Sequence, residues 1–213
     1  SLLTLLQFTK TRPNFWLSGL WMFLAIGSKE VAIAAFPLIF LILYIKEPAP
    51  TRSAVKKVLE ILRANFREVS SALIAVCFYF FLRFFSLGPA NFFGVKTSLI
   101  ENPLIFTDAG SRVLTGFKVL WMYFEKMLWP ANLCSDYSYN QIPVVSEFSN
   151  IGVILGLVLF LSSVILFFIF INKKPIISFG FGVFLLSFLP VSNLLFATGT
   201  IAGERLFFFP SLG

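Results

Sequence analysis

The sequence contains no histidine, and that absence removes two broad kinds of chemistry at once. A Ser-His-Asp relay needs an imidazole to carry its proton, and the usual zinc sites draw on histidine or on several cysteines. Cysteine is nearly absent too: Cys77 lies in an apolar run and Cys134 in a loop, so no disulfide framework is expected. The acidic residues form no cluster that would demand Mg²⁺ or Mn²⁺, and no metal is expected. Charge of any sign is scarce, at 13% of residues, which excludes an ordinary soluble domain.

What fills the space is apolar. Hydrophobic residues make up 58% of the 213 positions, with 29 Phe, the composition of a bundle of membrane helices. The chain opens inside an apolar run, with no initiator Met and no signal-peptide pattern, and stops just after a motif. Residues 1–213 are therefore expected to be a fragment of one transmembrane domain. The net charge of +7 raises nucleic acid as a partner. The basic stretch Lys56–Arg67 lacks aromatic interleaving on a soluble fold, so membrane topology is the better explanation and no nucleic acid is expected.

Ser1–Phe8 reads as the tail of a helix, followed by a basic turn at Lys10–Pro13. Two apolar arms, Asn14–Gly27 and Val31–Ile45, flank Ser28-Lys29-Glu30. Arms of this length rise only about 21–23 Å against roughly 30 Å of hydrocarbon, so the tip of such a hairpin would sit below the bilayer surface. Lys46–Glu68 is the most polar stretch, with Ser53 as a possible helix cap. From Val55 onward, Val58, Leu59, Ile61, Leu62 and Phe66 run beside Lys56, Lys57, Arg63 and Arg67, the pattern of an amphipathic helix on an anionic membrane face. Val69–Leu87 is the next span, and Arg83 near its far end is expected to snorkel.

Gly88–Arg112 reads as a loop broken by Gly88-Pro89, Asn102-Pro103 and Asp108-Ala-Gly. Val113–Trp129 holds Lys118, Glu125 and Lys126 and is expected to be an interfacial or re-entrant helix rather than a crossing one. Pro130–Asn150 is a loop, Ile151–Ile171 a span, and Ile176–Phe196 a last span interrupted by Pro190. This layout puts Lys10, Arg12, Lys46, Arg52, Lys56, Lys57, Arg63, Arg67, Lys173 and Lys174 on one side with only Glu47, Glu60 and Glu68. The remaining charges balance, so the whole excess faces the cytosol as the positive-inside rule expects. The loops around Asp136 and Glu204-Arg205 and the Lys29 tip then converge on the non-cytosolic side. Ionised groups at such depth are costly unless they face a cavity or a partner, which makes them functional candidates.

Three stretches, SKEVAIAAFPLIFLILY, LWPANLCSDYSYNQIP and FLPVSNLLFATGTIAGERLFFFPSLG, in this order, resemble the membrane part of the TMTC proteins, transmembrane glycosyltransferases followed by tetratricopeptide repeats. The resemblance runs over nearly the whole chain, and the DYSYNQIP wording leans toward bacterial members. It implies an all-α polytopic membrane protein: a GT-C-like transmembrane helix bundle with an interfacial helix on the non-cytosolic side. It also implies an enzyme that moves a sugar, mannose as the first expectation, from a polyprenyl- or dolichyl-phosphate donor to a protein hydroxyl. The partners would be membrane lipids, that donor and a protein acceptor, with no further cofactor. A bacterial inner membrane is slightly preferred over the endoplasmic reticulum. The family's catalytic carboxylates lie in a first outer loop upstream of Ser1, so the fragment itself should be inactive.

Such a transfer needs a base for the hydroxyl proton and a cation for the departing phosphate. The resemblance gives the phosphate to Arg205, whose fork matches phosphate oxygens, and secondly to Lys29. Glu204, Glu30 and Asp136 would line the substrate cavity. The bland alternatives stay open: Glu204-Arg205 as an interface anchor, Lys29-Glu30 as a self-neutralising pair, and Asp136 as a turn residue, the role slightly favoured here. A non-catalytic transporter or lipid-binding scaffold is the alternative function.

Overall fold

The computed structural model describes residues 2–10, 14–46, 54–88, 98–131, 133–134 and 137–213, and among them every regular element is helical. Ser53 and Asp136 fall outside the described residues. The chain forms two compact units, Ser1–Phe93 and Gly94–Gly213.

The first unit holds α1 (Leu2–Thr9), α2 (Phe15–Ser28), α3 (Ala35–Lys46), α4 (Ala54–Ala64) and α5 (Phe66–Leu87). Asn14 starts α2 by accepting the N–H groups of Trp16 and Leu17 at 3.0 and 3.2 Å. Helix α2 lies along α5, α3 along α1. The close α2–α5 approach depends on Gly19, where a Cβ would run into Ser71. Ser71 Oγ donates to the Phe15 carbonyl at 2.6 Å across the same contact, the small-residue packing that membrane helices favour. Phe8, Met22, Ile26, Leu38, Ile39 and Leu43 are fully buried between these helices. Helix α5 begins three residues earlier than expected because Arg67 and Glu68 are tolerated in its first turn. It ends at Gly88, whose φ of 71° suits glycine and whose N–H returns to the Phe84 carbonyl at 2.9 Å.

The second unit holds α6 (Ala109–Leu128), α7 (Ile151–Phe170), α8 (Pro175–Phe188) and the single turn α9 (Glu204–Phe207). Helix α6 starts at Ala109 rather than Val113, because Asp108 is a cap and not a breaker. Its carboxylate accepts the Ser111 N–H at 2.9 Å and the Ser111 hydroxyl at 2.7 Å. Those two bonds hold the Asp108 carboxyl below its ordinary value. Helix α6 packs along α7, and α7 along α8. The last helix is shorter than expected: α8 ends at Phe188 and passes through one tight turn, Leu189–Val191. Pro190 has no N–H to give back to the preceding turn and its ring blocks continuation.

Helices α5 and α7, of 22 and 20 residues, are long and apolar enough to cross a membrane. Only 22% and 17% of their apolar windows are buried, so Ile74, Phe85, Ile165 and Phe168 stand outward. A core helix of a soluble domain would hide those side chains. Helix α6 does not meet the same test.

Candidate functional site

The chain reverses direction at Lys29, which is extended (φ −158°, ψ 125°) between the end of α2 and a tight turn over Glu30–Ala34. Its N–H closes α2 on the Ala25 carbonyl at 3.2 Å, and its own carbonyl accepts from Ala32 at 2.9 Å. With the backbone held at both ends, the Lys29 side chain stands exposed, with no ion pair among the described residues. Glu30 is committed elsewhere. Its carboxylate pairs with the Arg83 guanidinium and accepts the Tyr79 hydroxyl at 3.4 Å. Tyr79 and Arg83 are one turn apart on α5 and so present to the same side. Arg83 therefore does not snorkel toward water as expected; a carboxylate in reach outbids the interface, and its side chain is only 16% exposed. The alternative of a self-neutralising Lys29–Glu30 pair gives way to a Glu30–Arg83 pair.

In the second unit the stretch from Ser192 to Gly203 has no regular structure yet is tightly tied. Asn193 is buried at φ 57°, a left-handed conformation that Asn tolerates. Its Nδ2 donates to the carbonyls of Thr200 and Ile201 at 3.2 and 3.0 Å. Its Oδ1 accepts from Thr198 N–H at 2.7 Å and from buried Asn102 Nδ2 at 3.1 Å. This hub delivers the chain to Gly203, where Tyr123 of α6 meets it twice. The Tyr123 hydroxyl donates to the Gly203 carbonyl at 3.0 Å and accepts the Gly203 N–H at 2.8 Å, while its ring stacks on Phe207 at 4.7 Å. Burial pushes the Tyr123 phenol well above its ordinary value, so it stays a neutral donor and acceptor.

Glu204 follows directly. Its Oε1 accepts the Cys134 N–H at 2.8 Å and the Tyr137 hydroxyl at 2.9 Å, so it gathers the LCSDYS loop against the GER turn. The second carboxylate oxygen has no partner among the described residues. Burial and the neighbouring carboxylate push the Tyr137 phenol up to about 12. Arg205 is exposed and makes no ion pair among the described residues, so Glu204 does not orient it directly.

The comparisons with known proteins meet this geometry at the same stretches. The family described as Protein O-mannosyl-transferase TMTC, DUF1736 matches residues 96–165, which include α6 and the loop held by Glu204. A protein O-mannosyl-transferase of Caenorhabditis elegans is 30% identical over 152 residues, 71% of this chain and 21% of that protein. The chain belongs to the TMTC family. Protein O-mannosyl-transferase TMTC4 of Mus musculus is 30% identical over 122 residues, 54% of the chain and 16% of the relative. The Homo sapiens TMTC4 is 29% identical over 139 residues, 62% of the chain and 18% of the relative. This TMTC chain thus spans about a fifth of the length of these relatives. All three are animal proteins and lend no support to the bacterial preference. No solved structure matches the chain.

Of the residues singled out in this TMTC chain, Glu204 and the Cys134–Tyr137 loop ends come together, and Lys29 and Arg205 each stand exposed beside a committed acid. Sequence reasoning missed Tyr123, Tyr137, Asn102, Asn193 and Tyr79. The apolar grooves along α2 and α5 contain none of the charged candidates. Nothing local in the sequence marks Asn193 or Tyr123.

Proposed function

We propose that the full-length protein is a GT-C-type membrane transferase that moves mannose from a polyprenyl- or dolichyl-phosphate donor to a protein hydroxyl, on the non-cytosolic face. The observation that carries this is common to both dipeptides: the acid is taken up by internal partners and the base beside it is left outward. That arrangement presents cations while holding their backbone still, which is what a leaving phosphate needs. The names of the animal relatives supply the chemistry of the reaction. In the step, the acceptor oxygen attacks the anomeric carbon as the carbon–phosphate oxygen bond breaks with its electron pair. The hydroxyl proton goes to a carboxylate upstream of this chain, and the departing phosphate is met by Arg205; Lys29 is a separate anion contact of the first unit. Glu204 holds the loop that bears Asp136 and keeps one oxygen for a sugar hydroxyl. Glu30 acts through Arg83 and Tyr79 to set Lys29 outward.

The test uses the full-length protein and a lipid-linked mannose donor. Replacing Arg205 with Ala should lower transfer by about 10²-fold, the usual cost of one lost transition-state donor, with Arg205→Lys recovering part. Transfer that is unchanged at normal expression rejects the phosphate role. Wild-type protein that binds the lipid phosphate without transferring its sugar would favour the scaffold.

A further inference from the structure

Adjacent lysines on α4 have different fates. Lys57 is 8% exposed and its Nζ sits 3.8 Å over the Tyr44 ring of α3, a cation–π contact that draws it inward. Ile61, one turn on, is 3% exposed and lies on the same inward side. These two residues fix how α4 is rolled. At about 100° per residue, the side opposite them is centred on Leu59. Leu59 and Val58 are 48% and 42% exposed, with Leu62 beside them. Arg63 and Lys56 border this apolar arc on its other flank, both exposed and without an ion pair among the described residues. After Asn65 the chain enters α5 directly, where Phe66 is 68% exposed and Arg67 is exposed.

We propose that α4 is a binding surface for anionic phospholipid headgroups, with Lys56 and Arg63 as the headgroup contacts and Val58, Leu59 and Leu62 dipping into the acyl boundary. Three observations select a lipid leaflet over a protein partner. The exposed arc is narrow and apolar, Arg63 and Lys56 lie between it and the exposed Glu60, and it leads directly into a helix able to cross the bilayer. That geometry matches an interfacial helix, and each cation near an anionic surface adds to its hold. Lys57 is excluded from the contact, although composition alone would count it. The proposal rests on α5 crossing the membrane.

The experiment places an environment-sensitive fluorophore at Leu59→Cys in a cysteine-free version of the full-length protein, reconstituted in phosphatidylcholine vesicles. Phosphatidylglycerol is then titrated in, and a blue shift of the probe is expected. Lys56→Gln and Arg63→Gln should each raise the phosphatidylglycerol fraction at the midpoint by about fivefold, and Lys57→Gln should leave it in place. No response to phosphatidylglycerol, or an equal shift from Lys57→Gln, overturns the proposal. So does a blue shift that depends on protein concentration rather than lipid, which would mean a second copy covers the helix. Alkaline carbonate extraction keeps the two failures apart. Release of the wild type from membranes refutes the crossing itself, whereas retention with a silent probe refutes only the headgroup site.

Discussion

In the first unit Glu30 is answered by a cation, Arg83; in the second Glu204 is answered by neutral donors, a backbone N–H and a phenol. The first arrangement cancels the acid's charge and leaves the Lys29 tip positive overall. The second keeps the acid's charge beside Arg205, so the GER turn is locally balanced. Two motifs that read alike in sequence, an acid next to a base, thus hold their acids in different ways.

The second arrangement has more to lose from a single atom. Tyr123→Phe removes the hydroxyl that serves both the N–H and the carbonyl of buried Gly203. The Gly203 carbonyl keeps the Leu206 N–H at 2.9 Å, but the buried Gly203 N–H is left without a partner, which should cost about 1–3 kcal/mol, read as a fall in the thermal midpoint of the detergent-solubilised protein. A change below about 0.5 kcal/mol would mean that the GER turn is not held from α6, and the comparison would lose its second half.

Glu30→Gln should come next, at about 1–2 kcal/mol. The figure stays below that of a fully buried pair because Glu30 is 57% exposed, while Arg83 at 16% is left without its countercharge. The exchange Glu30→Arg with Arg83→Glu should restore most of it. Glu204→Gln should be milder, at about 1 kcal/mol or less, because an amide oxygen can still accept from the Cys134 N–H and the Tyr137 hydroxyl. If the two Gln variants behave alike, the distinction between a charge-paired and a dipole-held acid is wrong.

How far the sequence foretold this varies with the range of each interaction. Helix α7 was legible because twenty uncharged residues, all but Ser162 and Ser163 apolar, follow a capping Asn150, whose side chain accepts the Gly152 N–H at 3.0 Å. The α4 stripe was legible because amphipathic periodicity is a local property. Arg83 was misjudged because its partner lies more than fifty residues upstream, and nothing near it says whether a carboxylate or water will be the nearer acceptor. The Asn193 hub was invisible for the same reason, since its bonds reach Asn102 and the residues past Thr198. Asp108 was read as a breaker when the Ser three residues on marked it as a cap, a signal present but overlooked.

The smallest effect at neutral pH, and the sharpest probe of how Glu204 is held, concerns Tyr137. Its phenol is pushed up to about 12, by burial first and by the Glu204 carboxylate second. In the unfolded chain it would ionise near the ordinary value of about 10. A folded value above the unfolded one means the stabilisation is fully present below pH about 10 and is lost as pH rises through the folded value. Wild type should therefore lose stability between those limits more steeply than Tyr137→Phe, while the difference in slope vanishes below pH about 9. The measurement is the thermal midpoint of both proteins across that range. Parallel curves would mean that Tyr137 ionises freely and that the Glu204 carboxylate is not beside it. The dipole-held acid would then have lost one of its two donors, and the GER turn would be tied to the preceding loop by the Cys134 N–H alone.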